Sequence, residues 1–229
     1  MPFKQIVQKA IRRCVWGRGL LDLSRISRNF PAAIIRRYRE TDLEVCRQIY
    51  LLNDNGQFPE NCVQRFEDNL QNDETLTLVL ELEGRVIGSG GISLHEYSDE
   101  IEVAVISFGF LHPRYHEQGY GMLMLAYRLS LLSVERGMWI VSMTSAGNGT
   151  EEFFKNLGFQ FVETSEVESG LELDYYYLRL PASDIERIRT RISDSPVRIE
   201  VDARCPIPSS DKRKEYEELL ARENDSQES

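Results

Sequence analysis

Between residues 34 and 180 the apolar positions switch between a spacing of two and a spacing of three to four, and each switch marks an element. Ile34 to Arg39 reads as a first strand. Glu40, Thr41 and Asp42 supply capping residues for a helix carrying Leu43, Cys46, Ile49 and Tyr50 on one face. After Phe58-Pro59-Glu60-Asn61, a second amphipathic helix groups Val63, Phe66 and Leu70. Thr75 to Leu82 and Arg85 to Leu94, joined at Glu83-Gly84, read as a hairpin, and Ser98-Asp99-Glu100 turns the chain into a strand from Ile101 to Leu111. The helix from Met122 to about Glu135 is apolar almost all round, which predicts burial between the sheet and other elements. Gly137 stops it and Met138 to Met143 is a further strand. Glu151 to Leu157 is a short helix with Gly158 at its C-cap. Gln160 to Thr164 and Tyr175 to Leu180 form a last hairpin. Beyond it, Ser183 to Arg191 reads as a capped helix, Val197 to Val201 as an extra strand, Pro206 to Ser210 as a linker and Asp211 to Ser229 as a charged, frayed tail.

One junction in this pattern carries chemistry. The strand ending at Leu111 runs through His112-Pro113-Arg114-Tyr115-His116-Glu117-Gln118-Gly119-Tyr120-Gly121 into the apolar helix. Glycines there let the backbone come close to a ligand, and a helix beginning there offers unpaired N–H groups and the positive end of its dipole to an anion. The spacing predicts a phosphate site. A dinucleotide fingerprint would need a third glycine where Met124 stands, and a P-loop would need a Gly-Lys-Ser/Thr that the sequence lacks.

The segment His116-Glu117-Gln118-Gly119-Tyr120-Gly121 resembles the pyrophosphate loop of the GNAT superfamily of N-acetyltransferases, Gln/Arg-x-x-Gly-x-Gly/Ala, with histidine at the first position. Phe153-Phe154-Lys155-Asn156-Leu157-Gly158-Phe159 resembles a second family pattern, close to Leu-Tyr-x-x-x-Gly-Phe. The order of elements also matches the family over about Ala32 to Leu180. The resemblance implies an α/β fold with a GNAT-like mixed, mostly antiparallel central sheet flanked by helices. It further implies acetyl-CoA as co-substrate and direct transfer of an acetyl group to an amine of a small molecule or peptide. A catalytically silent acyl-CoA-binding module is the rival reading.

Carried over residue by residue, the resemblance gives the pyrophosphate to the backbone of Glu117, Gln118, Gly119, Tyr120, Gly121 and Met122, with His116 beside them. Phe110, Leu111 and His112 pair with the pantetheine arm as a strand would, and the N–H near Leu111 meets the thioester carbonyl. Phe154 packs on the arm and Asn148 contacts the cofactor. The sequence departs from the family where catalytic side chains often stand: Val105 holds the place of a strand glutamate, and Phe154 that of a proton-donating tyrosine. Glu102 and Tyr97 are therefore the candidate base and acid, with His95 and Glu96 as alternative bases and Tyr120 and the run Tyr175-Tyr176-Tyr177 as alternative donors. His112 and His116 flank a proline turn without acidic or cysteine partners at ligand spacing, so no metal is expected.

Composition adds three constraints. The 229 residues, 41% hydrophobic, suffice for one core with appendages: a basic extension over residues 1–31, the GNAT-like domain over 32–180 and a C-terminal extension over 181–229. Four cysteines without C-x-x-C spacing, and no membrane-length apolar run, predict reduced thiols and a cytoplasmic protein. The net charge of −10 argues against a nucleic-acid partner, yet the first thirty residues carry seven Lys and Arg against one Asp. Phe3, Ile6, Val7, Ala10 and Ile11 recur among those charges at helical spacing. That pattern suits a membrane surface, docking on the acidic body or a second subunit, and leaves a homodimer open.

Overall fold

The alternating runs assemble into one sheet, described in a computed structural model that covers residues 21–54, 56, 58–59, 61–97, 102–133, 138–145, 150–166, 171–202 and 207–214. In chain order the elements are β1 (Ile34–Arg37), α1 (Leu43–Leu52), α2 (Asn61–Leu70), β2 (Leu76–Leu82), β3 (Arg85–Glu96), β4 (Glu102–Leu111), α3 (Tyr120–Ser130), β5 (Met138–Ser145), α4 (Glu151–Asn156), β6 (Gln160–Glu166), β7 (Glu172–Leu180), α5 (Ala182–Ser193), β8 (Arg198–Glu200) and β9 (Ser209–Asp211). The strand order is β6-β7-β5-β4-β3-β2-β1-β8, with β9 beside the end of β3. Parallel pairing joins β4 to β5, β1 to β8 and β3 to β9; the other described pairs are antiparallel. The fold is thus α/β, with a mostly antiparallel central sheet flanked by helices.

Alternation sorts the side chains into two layers. Leu76, Leu78 and Leu80 of β2, Ala104 and Ile106 of β4, and Tyr176, Leu178 and Leu180 of β7 pack on α3 and on Ile185, Ile188 and Ile192 of α5. On the opposite face, Val79, Phe108 and Phe110 meet Cys46 and Tyr50 of α1 and Cys62, Phe66 and Leu70 of α2. The all-round apolar character of α3 has the expected reason: nine of its eleven residues are buried.

Several bounds differ from the sequence reading. Helix α3 begins two residues early and stops at Ser130, because Arg189 of α5 donates to the carbonyls of Ser130 and Leu132 at 2.7 Å each and so caps its end. Asp42 does not cap α1 through its side chain. Its carboxylate turns back to accept from Arg39 N at 2.8 Å and from both terminal nitrogens of buried Arg36 at 2.7 and 2.9 Å. Part of the predicted linker and tail becomes β9, since β2 stops opposite Ile92 and leaves the edge of β3 at Leu94–Glu96 for another strand.

The described part of the N-terminal segment lies in the main core. Leu21, Leu23, Ile26 and Phe30 are buried there, Asp22 N donates to Leu157 O, and Arg191 of α5 donates to the carbonyls of Leu23 and Ile26. Residues 1–20, with the Phe3–Ile11 pattern, lie outside the described residues, as do 215–229.

Candidate active site

The sheet opens where its two central parallel strands part. Pairing of β4 with β5 is confined to Val103–Ile106 against Trp139–Ser142, while β4 stays on β3 as far as Leu111 and β5 stays on β7 as far as Ser145. The cause is a bulge in β4. Phe108 takes φ +44, and the register against β3 shifts between Ser89 and Gly91. Ser107 and Phe108 consequently share a face: a Cβ on Gly91 would lie 2.7 Å from Ser107 Oγ, on the α2 side, and the Phe108 ring lies 5.7 Å from that of Phe66. Beyond Ile106 a wedge widens between β4 and β5.

At the far end of β4 the chain enters the glycine loop. His112 Nδ1 accepts from Arg114 N across the Pro113–Tyr115 turn, and Gln118 Nε2 donates to Arg114 O at 2.6 Å. Glu117 at φ +60 and Gly119 at φ +87 reverse the chain. The first intrahelical bond is Leu123 N to Gly119 O, so the N–H groups of Tyr120, Gly121 and Met122 head α3 without partners inside the helix. A Cβ on Gly121 would meet nothing within 4 Å. Open space beside three N–H groups at a helix start is an arrangement that favours an anion.

Strand geometry orients Leu111. His112 N donates to Ile87 O at 2.8 Å, so alternation turns the Leu111 N–H and carbonyl away from β3. The carbonyl accepts from Asn53 Nδ2 at 3.0 Å and lies 2.9 Å from His116 Nε2, which must therefore carry a proton. His116 thus ties the loop to the strand end. Asn53, at the C-cap of α1, was not legible as a site residue, since nothing local in the sequence ties it to a carbonyl 58 residues away.

The proposed acid and base are not gathered at the wedge. Glu102 pairs with Glu96 and lies on the face opposite Val105, which pairs with Ser93. It precedes Ser107 by five residues, about 16 Å at ~3.3 Å per residue. Tyr97, 4% exposed, follows the end of β3 at the same remote end. His95 has the right face, opposite Val103, but lies four residues' length from the bulge. Glu96 accepts from Arg213. Asn148 lies outside the described residues.

Phe154 stacks on Tyr176 at 5.5 Å, within the α3-side layer. Burial, with the charges of Asp174 and Glu151, pushes the Tyr176 hydroxyl up to about 12. Tyr175 and Tyr177 alternate onto the other face. Tyr175 stands opposite Met143, the first β5 residue past the pairing with β4, and is 2% exposed. Burial raises its pKa, assisted by Glu163 and opposed by Arg65. Glu163, its neighbour across β6 and β7, and Arg65 of α2 were not singled out from sequence, because only sheet register and helix packing bring them near.

Comparison with known proteins agrees with this fold. No curated protein sequence matches. Among solved structures, a GNAT-family protein from Desulfovibrio desulfuricans superposes with a TM-score of 0.53 at 14% identity, covering 65% of this chain and 99% of that one. The ribosomal-protein-S18-alanine N-acetyltransferase of Escherichia coli gives 0.48 at 19% identity, covering 64% and 93%, and Arabidopsis thaliana Naa50 bound to a CoA bisubstrate analogue gives 0.49 at 15%, covering 64% and 98%. Of these three, the first bears on the fold. The Acetyltransferase (GNAT) family profile matches residues 43–159, a span running from the start of α1 to the end of the Phe153–Phe159 motif. The chain belongs to the GNAT acetyltransferase family.

Proposed function

We propose that this protein is an acetyl-CoA-dependent N-acetyltransferase that passes the acetyl group directly to an amine of a small molecule or peptide. The observation that carries the reading is the wedge past Ile106, one wall of which leads through Leu111 to the open helix start at Gly121. In this reading Glu117 to Met122 hold the pyrophosphate, Phe110, Leu111 and His112 line the pantetheine arm, and the Leu111 N–H meets the thioester oxygen as negative charge grows there. The amine lone pair attacks the carbonyl carbon, the C–S bond breaks with its electrons to sulfur, and the proton released by the amine passes to solvent water. Tyr175 is the hydroxyl assigned to the departing thiolate, because it alone of the three consecutive tyrosines combines the α2-side face with a place beside the wedge. A cytoplasmic site of action suits buried Cys46 and Cys62, neither in a disulfide, and the lack of any membrane-crossing helix among the described residues.

A second reading, an acyl-CoA-binding module with little turnover, is favoured by Val105 and Phe154, neither of which can move a proton. Calorimetric titration with acetyl-CoA beside an amine panel that follows thiol release separates the two. Binding with amine-dependent release supports the transferase; binding without release across the panel supports the module; absence of binding removes both.

A further inference from the structure

Beneath the bulge lies a cation that the acyl-transfer scheme does not yet use. Arg128, on α3, is 5% exposed. Its Nε donates to Met124 O at 3.3 Å, and one terminal nitrogen donates to Gly91 O at 3.2 Å and Ser107 O at 3.3 Å, one carbonyl from each of the two strands at the register shift. Room is made by glycines. A Cβ on Gly90 would stand 3.1 Å from the guanidinium carbon, and one on Gly109 3.2 Å from its other terminal nitrogen. Burial pushes its pKa down to about 10, which leaves it charged at neutral pH. Its hydrogen-bond acceptors are neutral carbonyls, so the positive charge is not cancelled by an ion pair with any of them. A charge so placed is costly to bury, and a site that only needed its carbonyls satisfied would be served by neutral donors.

We propose that Arg128 is a positioning residue of the acyl-transfer site, a fixed cation that props the β4 bulge, polarises the peptide joining Ser107 to Phe108 and sets its charge behind the strand that carries the Leu111 donor. The inference rests on the acyl-CoA reading of the wedge. In a planar trans peptide the carbonyl and N–H point in opposite directions. A guanidinium on the Ser107 carbonyl therefore draws electron density from an N–H that faces away from Arg128, and strengthens it as a donor. The charge itself acts at longer range, because little water intervenes to screen it. The charge favours the state in which the thioester oxygen, met by the Leu111 N–H further along β4, has become negative.

The test needs no knowledge of the acceptor. Acetyl-CoA labelled with carbon-13 at the thioester carbonyl is bound to the full chain, and the carbonyl stretch is read by isotope-edited infrared difference spectroscopy. Binding to the wild type is measured first, and a wild type that does not bind overturns the acyl-CoA reading and this inference with it. Given binding, the wild-type stretch is expected below its value in water. Arg128→Met, close in volume but uncharged, should keep affinity within about tenfold and lose at least half of that shift, while Arg128→Lys keeps most of it. Gly90→Ala, whose Cβ pushes the guanidinium from its carbonyls, should give an intermediate shift and decides the matter if the methionine variant does not fold. An unchanged stretch in Arg128→Met or Gly90→Ala overturns the proposal, as does equal loss in the lysine and methionine variants, which would make Arg128 a packing residue.

Discussion

Two glycines of one loop illustrate how backbone and ligand demands separate at single positions. Gly119 sits at φ +87, where any side chain is strained, although the nearest atom to its Cβ position, Pro31 Cδ, is 3.6 Å away. Gly121 has no such torsion and faces empty space. Gly119→Ala should therefore cost about 1–2 kcal/mol of stability in urea unfolding. Gly121→Leu should leave the midpoint nearly unchanged and lower acetyl-CoA affinity by about a hundredfold or more, roughly 3 kcal/mol. Unaltered affinity in the leucine variant would remove the loop assignment. The tyrosines divide similarly: Tyr175→Phe should lower turnover with affinity kept, whereas Tyr176→Phe, packed on Phe154, should leave turnover unchanged, both read in the thiol-release assay. The loop residues were legible because glycine spacing and a helix start are local signals. Tyr175 could be told from its neighbours only once sheet register fixed its face.

At the scale of elements, local patterning located the strands and helices, but long-range partners set where they end and bend. Nothing in residues 101–111 announces a bulge, because Phe108 at positive φ is a conformation that sequence propensity disfavours; packing on Phe66 and carbonyl capping by Arg128 sustain it. Asp42 was legible as a capping residue but not as the partner of Arg36, which also donates to Glu81 at 2.9 Å and ties β1, β2 and the start of α1 together. Burial alone would raise the Asp42 pKa, yet Arg36 and the Arg39 N–H outweigh it and the carboxyl titrates below its usual range. A group so depressed contributes stability above its unfolded value near ~3.9, and that contribution is lost as pH falls through the folded value. Asp42→Asn should cost about 3–5 kcal/mol at pH 7, because it breaks a buried pair. The gap between variant and wild type should narrow below about pH 4. Urea unfolding at pH 7 and pH 3 reads both, and a gap of equal size at the two pH values would show that the charge of Asp42 is immaterial.

For the molecule as a whole, the described end of the basic extension, residues 21–31, packs with the domain that follows it. Basic residues set the first thirty positions apart, but charge describes a surface and says little about what the intervening apolar residues cover. Ile26 and Phe30 are 1% and 3% exposed within the main core, and Arg191 of α5 anchors the segment through two carbonyls. The next residue, Pro31, abuts Gly119, so the segment runs from the core to the glycine loop. Removing residues 21–31 would open the α3 layer, whereas a purely peripheral arm could be cut away without loss. Phe30→Ala isolates the point: a buried phenylalanine truncated in a packed core should cost about 3–5 kcal/mol. Because Pro31 follows directly, the same variant should weaken acetyl-CoA binding through the loop, while Ile199→Ala on exposed β8, distant in chain and strand order from the wedge, should change neither. Urea midpoints and calorimetric affinities of the two variants give the answer. Full stability in Phe30→Ala would make the segment an appendage after all; lost stability with intact affinity would confine its role to the core and free the loop from it.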